Sequence, residues 1–183
     1  MGGQGRVHRA LSLPPAPAAP AGLAGIAQGG LFQLGYVFPR IATGETYLAT
    51  LGARGFTHFP DAPVHSQTLR GEPMVCRQNL AFGFLGPLNV ELVEPVEGAN
   101  IYTEFLSEKP DGGLHHIAWK VEDIDIAAAA MRAAGHAEAQ TGRFGEGTRF
   151  VYFDTRSPLG HYTELLAFDD ATEALFDEMR RTG

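Results

Sequence analysis

Two stretches of the chain repeat each other in register, and a duplicated unit leaves few folds open. Leu31-Phe32-Gln33-Leu34-Gly35-Tyr36-Val37 and Leu114-His115-His116-Ile117-Ala118-Trp119-Lys120-Val121 are both strand-like. Each leads into a short helical pattern that stops at a glycine. Gln33 precedes Gly52 by 19 residues, and His116 precedes Gly135 by the same 19. If the two copies pair in space, Gln33 and His116 fall at equivalent positions on equivalent strands.

The rest of the chain fits the same plan. Pro39 ends the first strand, and Thr43 is placed to cap a helix over Gly44 to Leu51, with Gly52 free to take a left-handed conformation. Phe56 to Met74, rich in Pro, His and Gly, reads as weak strand and loop. Asn79 to Phe84 and Asn89 to Val93 read as strands joined around Gly86-Pro87, and Ile101 to Leu106 as a short helix. Lys109 to Gly113 reads as a loop joining two modules. In the second copy Asp123 caps a helix over Ile124 to Ala134, closed by Gly135. Thr148 to Phe153 and His161 to Phe168 are strands separated by the turn Ser157-Pro158-Leu159-Gly160. Asp169 to Arg181 has its acids first, its arginines last and one apolar side, the pattern of an amphipathic helix. The expected fold class is therefore α+β: two βαβββ modules, over residues 29–108 and 109–168, forming a curved mixed eight-stranded sheet around a central cavity. A C-terminal helix follows over residues 169–183.

Residues 1–28 differ in composition, with Pro14, Pro15, Pro17 and Pro20 set among alanines and glycines, and read as a disordered tail. Those prolines also interrupt the apolar run that a signal peptide needs. A net charge of −7, with 14 basic residues spread along 183, argues against a nucleic-acid partner. The single Cys76 makes no intramolecular disulfide, which fits a reducing cytoplasm, and no apolar run is long enough for a transmembrane helix.

Four polar residues on these strands carry the chemistry. Alternation puts Gln33 with Gly35 and Val37 on one face, and His116 with Ala118 and Lys120 on one face, leaving His115 on the outer side unless the strand is bulged. Each module also ends on a strand with an acid among apolar residues: Glu91 in Val90-Glu91-Leu92-Val93 and Glu164 in Tyr162-Thr163-Glu164-Leu165-Leu166. A buried carboxylate needs a partner, and a divalent cation is one. Gln33, Glu91, His116 and Glu164 together make an oxygen-rich site with one imidazole, suited to Zn²⁺, Ni²⁺, Co²⁺, Mn²⁺ or Fe²⁺. Read singly, Gln33 is an ordinary strand amide and Glu91 and Glu164 are solvent-facing acids; the repeat is what groups them. Glu94 reads as a strand-end charge, His161 as a turn residue, and His58 and His65 as surface histidines. Gly142, Gly145 and Gly147 mark a loop near the site, with Arg143 or Arg149 an anion contact.

From Leu31 to Phe168 the chain resembles the vicinal oxygen chelate superfamily, which includes glyoxalase I, methylmalonyl-CoA epimerase, extradiol dioxygenases and metal-free antibiotic-binding proteins. Val90-Glu91-Leu92-Val93-Glu94-Pro95, Gly113-Leu114-His115-His116-Ile117-Ala118 and Leu159-Gly160-His161-Tyr162-Thr163-Glu164-Leu165-Leu166 resemble the epimerase and glyoxalase-like branch. The resemblance implies one divalent metal held by Gln33, Glu91, His116 and Glu164. The first ligand in the epimerase is usually histidine; Gln33 departs from that toward glyoxalase I of the animal type. It further implies lyase or isomerase chemistry on a small carbonyl substrate, such as a thioester or hemithioacetal. A carboxylate, Glu164 or else Glu91, would remove the proton beside the carbonyl, and the cation would hold the enediolate or enolate. A homodimer is common among the resembling proteins. A metal-free small-molecule binder of the same fold is the alternative, and a ferrous extradiol-type dioxygenase ranks lower because only one histidine occupies the matching positions.

Overall fold

The two repeat strands lie side by side and antiparallel at the centre of a single sheet, in a computed structural model that describes residues 30–183. The expected tail over residues 1–28 lies outside the described residues. In chain order the strands are β1 (Leu31–Val37), β2 (Arg54–Phe59), β3 (Val64–Leu69), β4 (Glu72–Pro73), β5 (Arg77–Leu85), β6 (Leu88–Glu97), β7 (Gly113–Lys120), β8 (Ala137–Phe144), β9 (Thr148–Asp154) and β10 (Tyr162–Ala167). The helices are α1 (Ile41–Thr50), α2 (Ile101–Glu108), α3 (Ile124–Ala133), the single turn α4 (Arg156–Leu159) and α5 (Asp170–Thr182). The sheet order is β2-β5-β6-β1-β7-β10-β9-β8-β3-β4. β1 pairs parallel with β6, and β7 parallel with β10, so the two halves have the same connectivity in mirrored order.

The fold class is the expected one, but the sheet has ten strands rather than eight. The extra pair, β3 and β4, comes from the Pro- and Gly-rich part of the first half, yet β3 pairs with β8 of the second: Val64 with Phe144, His65 with Arg143, Thr68 with Thr141. This pairing dictates the curvature. Only residues 60–63 separate β2 from β3, a connection spanning at most about 18 Å. In a flat sheet the two strands would stand about 38 Å apart. The sheet must curl until its ends approach, and Phe59 of β2 packs against both Phe82 of β5 and Phe144 of β8, with ring centroids 5.6 and 5.8 Å away.

Period-two alternation then sorts residues between the faces. Val90 and Leu92 of β6 pack outward with Ile41 and Leu48 of α1, while Val151, Phe153 and Leu165 pack outward with Ile124, Ala127 and Met131 of α3. Phe82, Val93, Phe150, Tyr152 and Tyr162 face inward, where Phe176 and Met179 of α5 join them. Glu91 and Glu164 share the inward parity of Val93 and Tyr162 on their strands.

Helix starts follow the expectation in one half and depart from it in the other. Asp123 caps α3 as expected, accepting from the backbone N–H groups of Asp125 and Ile126 at 2.9 and 3.0 Å. Thr43 caps nothing; α1 begins at Ile41, three residues before the expected start at Gly44, and Arg40 at its N-cap makes no side-chain cap. The carboxylate of Glu94, expected to be a plain strand-end charge, instead accepts from the Ile41 N–H at 2.9 Å and does the capping from a neighbouring strand.

Candidate metal site

Glu91 on β6, His116 on β7 and Glu164 on β10 converge inside the curl. His116 Nε2 is 3.0 Å from Glu91 Oε2 and 3.3 Å from Glu164 Oε2. The three residues are 7 %, 0 % and 3 % exposed in chain order. His116 and Glu91 are on strands that do not touch, since β1 runs between them. Gly35 of β1 is the register partner of both. A Cβ on Gly35 would fall within the imidazole of His116, so the absent side chain is the space through which that ring crosses β1.

Glu91 Oε2, His116 Nε2 and Glu164 Oε2 are all buried and none makes a hydrogen bond of acceptable geometry, although they face one another. Three orphaned atoms at one point are what a cation would satisfy. Ligands bound at about 2.1 Å stand about 3.0 Å apart in neighbouring octahedral positions and about 3.4 Å apart in a tetrahedron. The two histidine-to-carboxylate separations fall in that interval. Two carboxylate oxygens and one imidazole nitrogen suit a divalent first-row metal. Gln33, the fourth expected ligand, lines the same cavity. Its Nε2 donates to Asn89 Oδ1 at 2.7 Å, and Asn89 in turn donates to the Gly83 carbonyl at 3.1 Å. With its nitrogen so engaged, the carbonyl oxygen of Gln33 is the atom left for a cation.

Burial, and then the charge of Glu91 beside it, push the Glu164 carboxyl well above the usual carboxylate range, against the opposing effect of the Tyr152 hydroxyl. Tyr102 of α2 donates its hydroxyl to that of Tyr152 at 2.9 Å. Both phenols are held well above their ordinary values, first by burial and then by the acids.

His115 is not on the outer face. The pairing of β1 with β7 slips between Gly35 and Tyr36, which oppose His116 and Leu114, so His115 is the extra residue of a bulge. The bulge turns it inward, 1 % exposed, with its Nδ1 3.0 Å from Nδ1 of His116 and its ring 4.9 Å from that of Tyr162. Burial, then His116, lowers its pKa well below the ordinary value and keeps it neutral. A proton on Nδ1 of His116, donated to His115, leaves the Nε2 lone pair facing the acids. Because His115 faces His116 rather than the carboxylates, the cluster keeps one histidine and two acids.

Other candidates fall elsewhere. His58 pairs with Glu45 at 2.7 Å on an exposed surface, and His65 bonds Ser66 and the Gly145 carbonyl at 2.9 and 2.8 Å. His161 stands just before β10. Arg149 is taken by Asp125 through two bonds of 2.8 and 2.7 Å, so it is no anion contact, and neither it nor Arg143 lines the cavity. Of the segment expected as a glycine loop, Gly145 to Gly147 form the turn between β8 and β9, whereas Gly142 belongs to β8, where a Cβ would collide with Phe150. The sequence reading missed Gly35, Asn89, Tyr102 and Tyr152. For Tyr152 a signal was present, since it shares parity with Phe150 on an alternating strand.

With this geometry in place, likeness to known proteins acquires meaning. A family model described as the Glyoxalase/Bleomycin resistance protein/Dioxygenase superfamily matches residues 32–153. The chain belongs to that superfamily. An ethylmalonyl-CoA/methylmalonyl-CoA epimerase of Cereibacter sphaeroides is 34% identical over 68 residues, covering 34% of this chain and 51% of that protein. The chain thus spans about half the length of this relative. Among solved structures, a hypothetical protein of Bacillus halodurans C-125 superposes with a TM-score of 0.56 at 20% identity, over 76% of this chain and 94% of that one. The methylmalonyl-CoA epimerase of Mycobacterium tuberculosis gives 0.53 at 18% identity, over 79% and 91%. A methylmalonyl-CoA epimerase in complex with methylmalonyl-CoA and NH4+ gives 0.52 at 22% identity, over 76% and 94%. At these identities the structures establish a shared fold. No helix among the described residues is long and apolar enough to cross a membrane.

Proposed function

We propose that this superfamily member is a divalent-metal-dependent isomerase of the epimerase type, moving a proton at the carbon beside a substrate carbonyl. The observation that carries this is the convergence of Glu91 Oε2, His116 Nε2 and Glu164 Oε2, buried and without hydrogen-bond partners, at separations fit for one cation. The similar proteins of known activity named above are epimerases, which supports the isomerase side of the expectation and lends the lyase side nothing. In this reading Glu91, His116 and Glu164 hold the metal, with the carbonyl oxygen of Gln33 as a fourth donor. The cation, when bound, polarises a carbonyl oxygen and offsets charge that develops on it.

Glu164 is the base. Burial and the neighbouring Glu91 raise its proton affinity in the metal-free chain, the direction that suits a group meant to take a proton. A carboxylate engaged with a cation is a poor base, so with a metal bound Glu164 would serve as base only when released from it. The Tyr152 hydroxyl beside it would hold the free carboxylate. Glu91, 3.0 Å from the same nitrogen of His116, is the carboxylate that would remain as ligand.

The test is metal content by elemental analysis, together with deuterium exchange at the α-carbon of methylmalonyl-CoA in D₂O. The chain should retain close to one divalent ion, which His116→Ala loses. Glu164→Gln should slow exchange by about 10² to 10⁴. If the chain loads none of Zn²⁺, Ni²⁺, Co²⁺, Mn²⁺ or Fe²⁺, or if His116→Ala loads them equally well, the reading fails. One observation favours a second reading, a metal-free binder of a small apolar compound: the wall facing the acids is built of Phe82, Phe144, Phe150, Phe168 and Phe176.

A further inference from the structure

The outer face of the sheet carries a basic row that the metal site does not use. β3, β8 and β9 set His65 opposite Arg143 and Arg143 opposite Arg149. Thr141, two residues before Arg143, is the partner of Val151, which packs outward with α3, so the row lies on the side away from Glu91 and Glu164. Two arginines in directly opposed positions repel each other. Arg149 is neutralised by Asp125 of α3, and Arg132 of α3 by Glu138 at 2.8 Å. Arg143, half-buried, pairs with no carboxylate among the described residues.

Beside Arg143 is a hollow of about 260 Å³, close to the lower bound of roughly 300 Å³ for small-molecule sites. Asp125, Ala128 and Arg132 are three and four residues apart and share one stripe of α3 over the hollow. The single methyl group of Ala128, between two charged residues, leaves the gap between helix and strands. Ser66 closes the far side. Pairing between β3 and β8 passes from His65 with Arg143 to Thr68 with Thr141, three residues against two, which makes a bulge. Within it Ser66 is held at a φ of 52°, where non-glycine residues are rarely found. His65 pins it there, with Nε2 2.8 Å from the Gly145 carbonyl and Nδ1 2.9 Å from Ser66 Oγ. A carbonyl only accepts, so Nε2 bears the proton and Nδ1 of the neutral ring accepts from the Ser66 hydroxyl. The lone pairs of Ser66 Oγ are left for another donor.

The lining thus offers one unpaired guanidinium and, around it, three acceptors: Ser66 Oγ and the carboxylates of Asp125 and Glu138. Three guanidinium groups against two carboxylates leave one positive charge. We propose that this hollow binds a small polyhydroxylated anion, of the sugar-phosphate or sugar-acid kind. Arg143 takes the phosphate or carboxylate through its planar fork. The ligand's hydroxyl groups donate to Ser66 and to the two acids. The site is separate from the Glu91, His116 and Glu164 cluster and does not depend on what that cluster does.

Titrations of the full chain at fixed ionic strength, by calorimetry and by amide NMR shifts, test this with glucose 6-phosphate, gluconate, inorganic phosphate and glucose. At least one of the two polyhydroxylated anions should bind with a Kd tighter than about 1 mM, and inorganic phosphate and glucose at least about tenfold more weakly. Whichever anion binds more tightly identifies the kind of ligand. Arg143→Gln should weaken that binding by at least about tenfold, and Ser66→Ala should narrow its advantage over inorganic phosphate by about threefold or more. The shifted amides should belong to β3, β8 and α3, with divalent metal present or absent. If Arg143→Gln does not fold, Arg143→Lys, which keeps the charge and loses the fork, should weaken binding by about fivefold. Binding of both anions no tighter than about 1 mM, equal binding of inorganic phosphate or glucose, or unchanged affinity in the Arg143 variants overturns the proposal.

Discussion

Gly35→Ala is the sharpest perturbation, because a single methyl group meets the ring on which the site depends. The new Cβ would fall within the imidazole of His116. That ring has no free direction to yield: it is fully buried, with the Tyr152 ring 5.1 Å away on one side and His115 5.2 Å away on another. Overpacking of this kind costs about 1–3 kcal/mol. With a urea m-value of about 2 kcal/mol per molar, the unfolding midpoint should fall by about 0.5–1.5 M with an unchanged slope. Displacing a ligand through its support should weaken metal affinity by about 10- to 100-fold, read by competition with a chelator. Gly44→Ala is the control. There the Cβ would lie 2.6 Å from Phe38 and 2.7 Å from Leu92, on the outer face, so stability should fall while metal affinity holds. A Gly35→Ala protein with wild-type midpoint or wild-type metal affinity would refute the argument that His116 reaches Glu91 through that gap.

The raised pKa of Glu164 gives the metal-free protein a contribution to stability that is fully present below the unfolded value near pH 4.3 and is lost as pH rises through the folded value. The difference in thermal midpoint between metal-free wild type and Glu164→Gln should therefore shift against wild type as pH rises from the ordinary glutamate range. Tyr152→Phe removes the acceptor of the Tyr102 hydroxyl and a group that lowers the Glu164 pKa. It should cost about 1–3 kcal/mol in urea unfolding and move the rise on the acid limb of the pH–rate profile to higher pH. Glu94→Ala leaves the Ile41 N–H without its partner and should destabilise by about 1 kcal/mol, with metal content unchanged.

How much of this was legible in the sequence depended on how local each cause was. The repeat was readable because strand, helix and stopping glycine recur within a short window, and it assigned Gln33 with His116 and Glu91 with Glu164 to equivalent strands. The start of α1 was not, since its cap is Glu94, 53 residues from Ile41. The inward turn of His115 follows from a slip in pairing between two strands, which no single strand encodes. β3 and β4 were legible only as weak strand and loop because their residues do not alternate, Ser66 and Arg70 adopt positive φ of 52° and 51°, and the partner of β3 belongs to the other half. The apolar side of α5 was evident, but that it faces the acids depends on how far the sheet curls.

The crossing of β3 to the far edge has one more consequence. Because a strand from the first half is hydrogen-bonded to β8 of the second, the duplicated halves are clasped at their outer rims as well as joined along β1 and β7. A backbone cut in the turn between Glu108 and Gly113 should leave two fragments that stay associated and melt in one transition. Exchange of a half between two copies of the chain would have to unlatch this hairpin first.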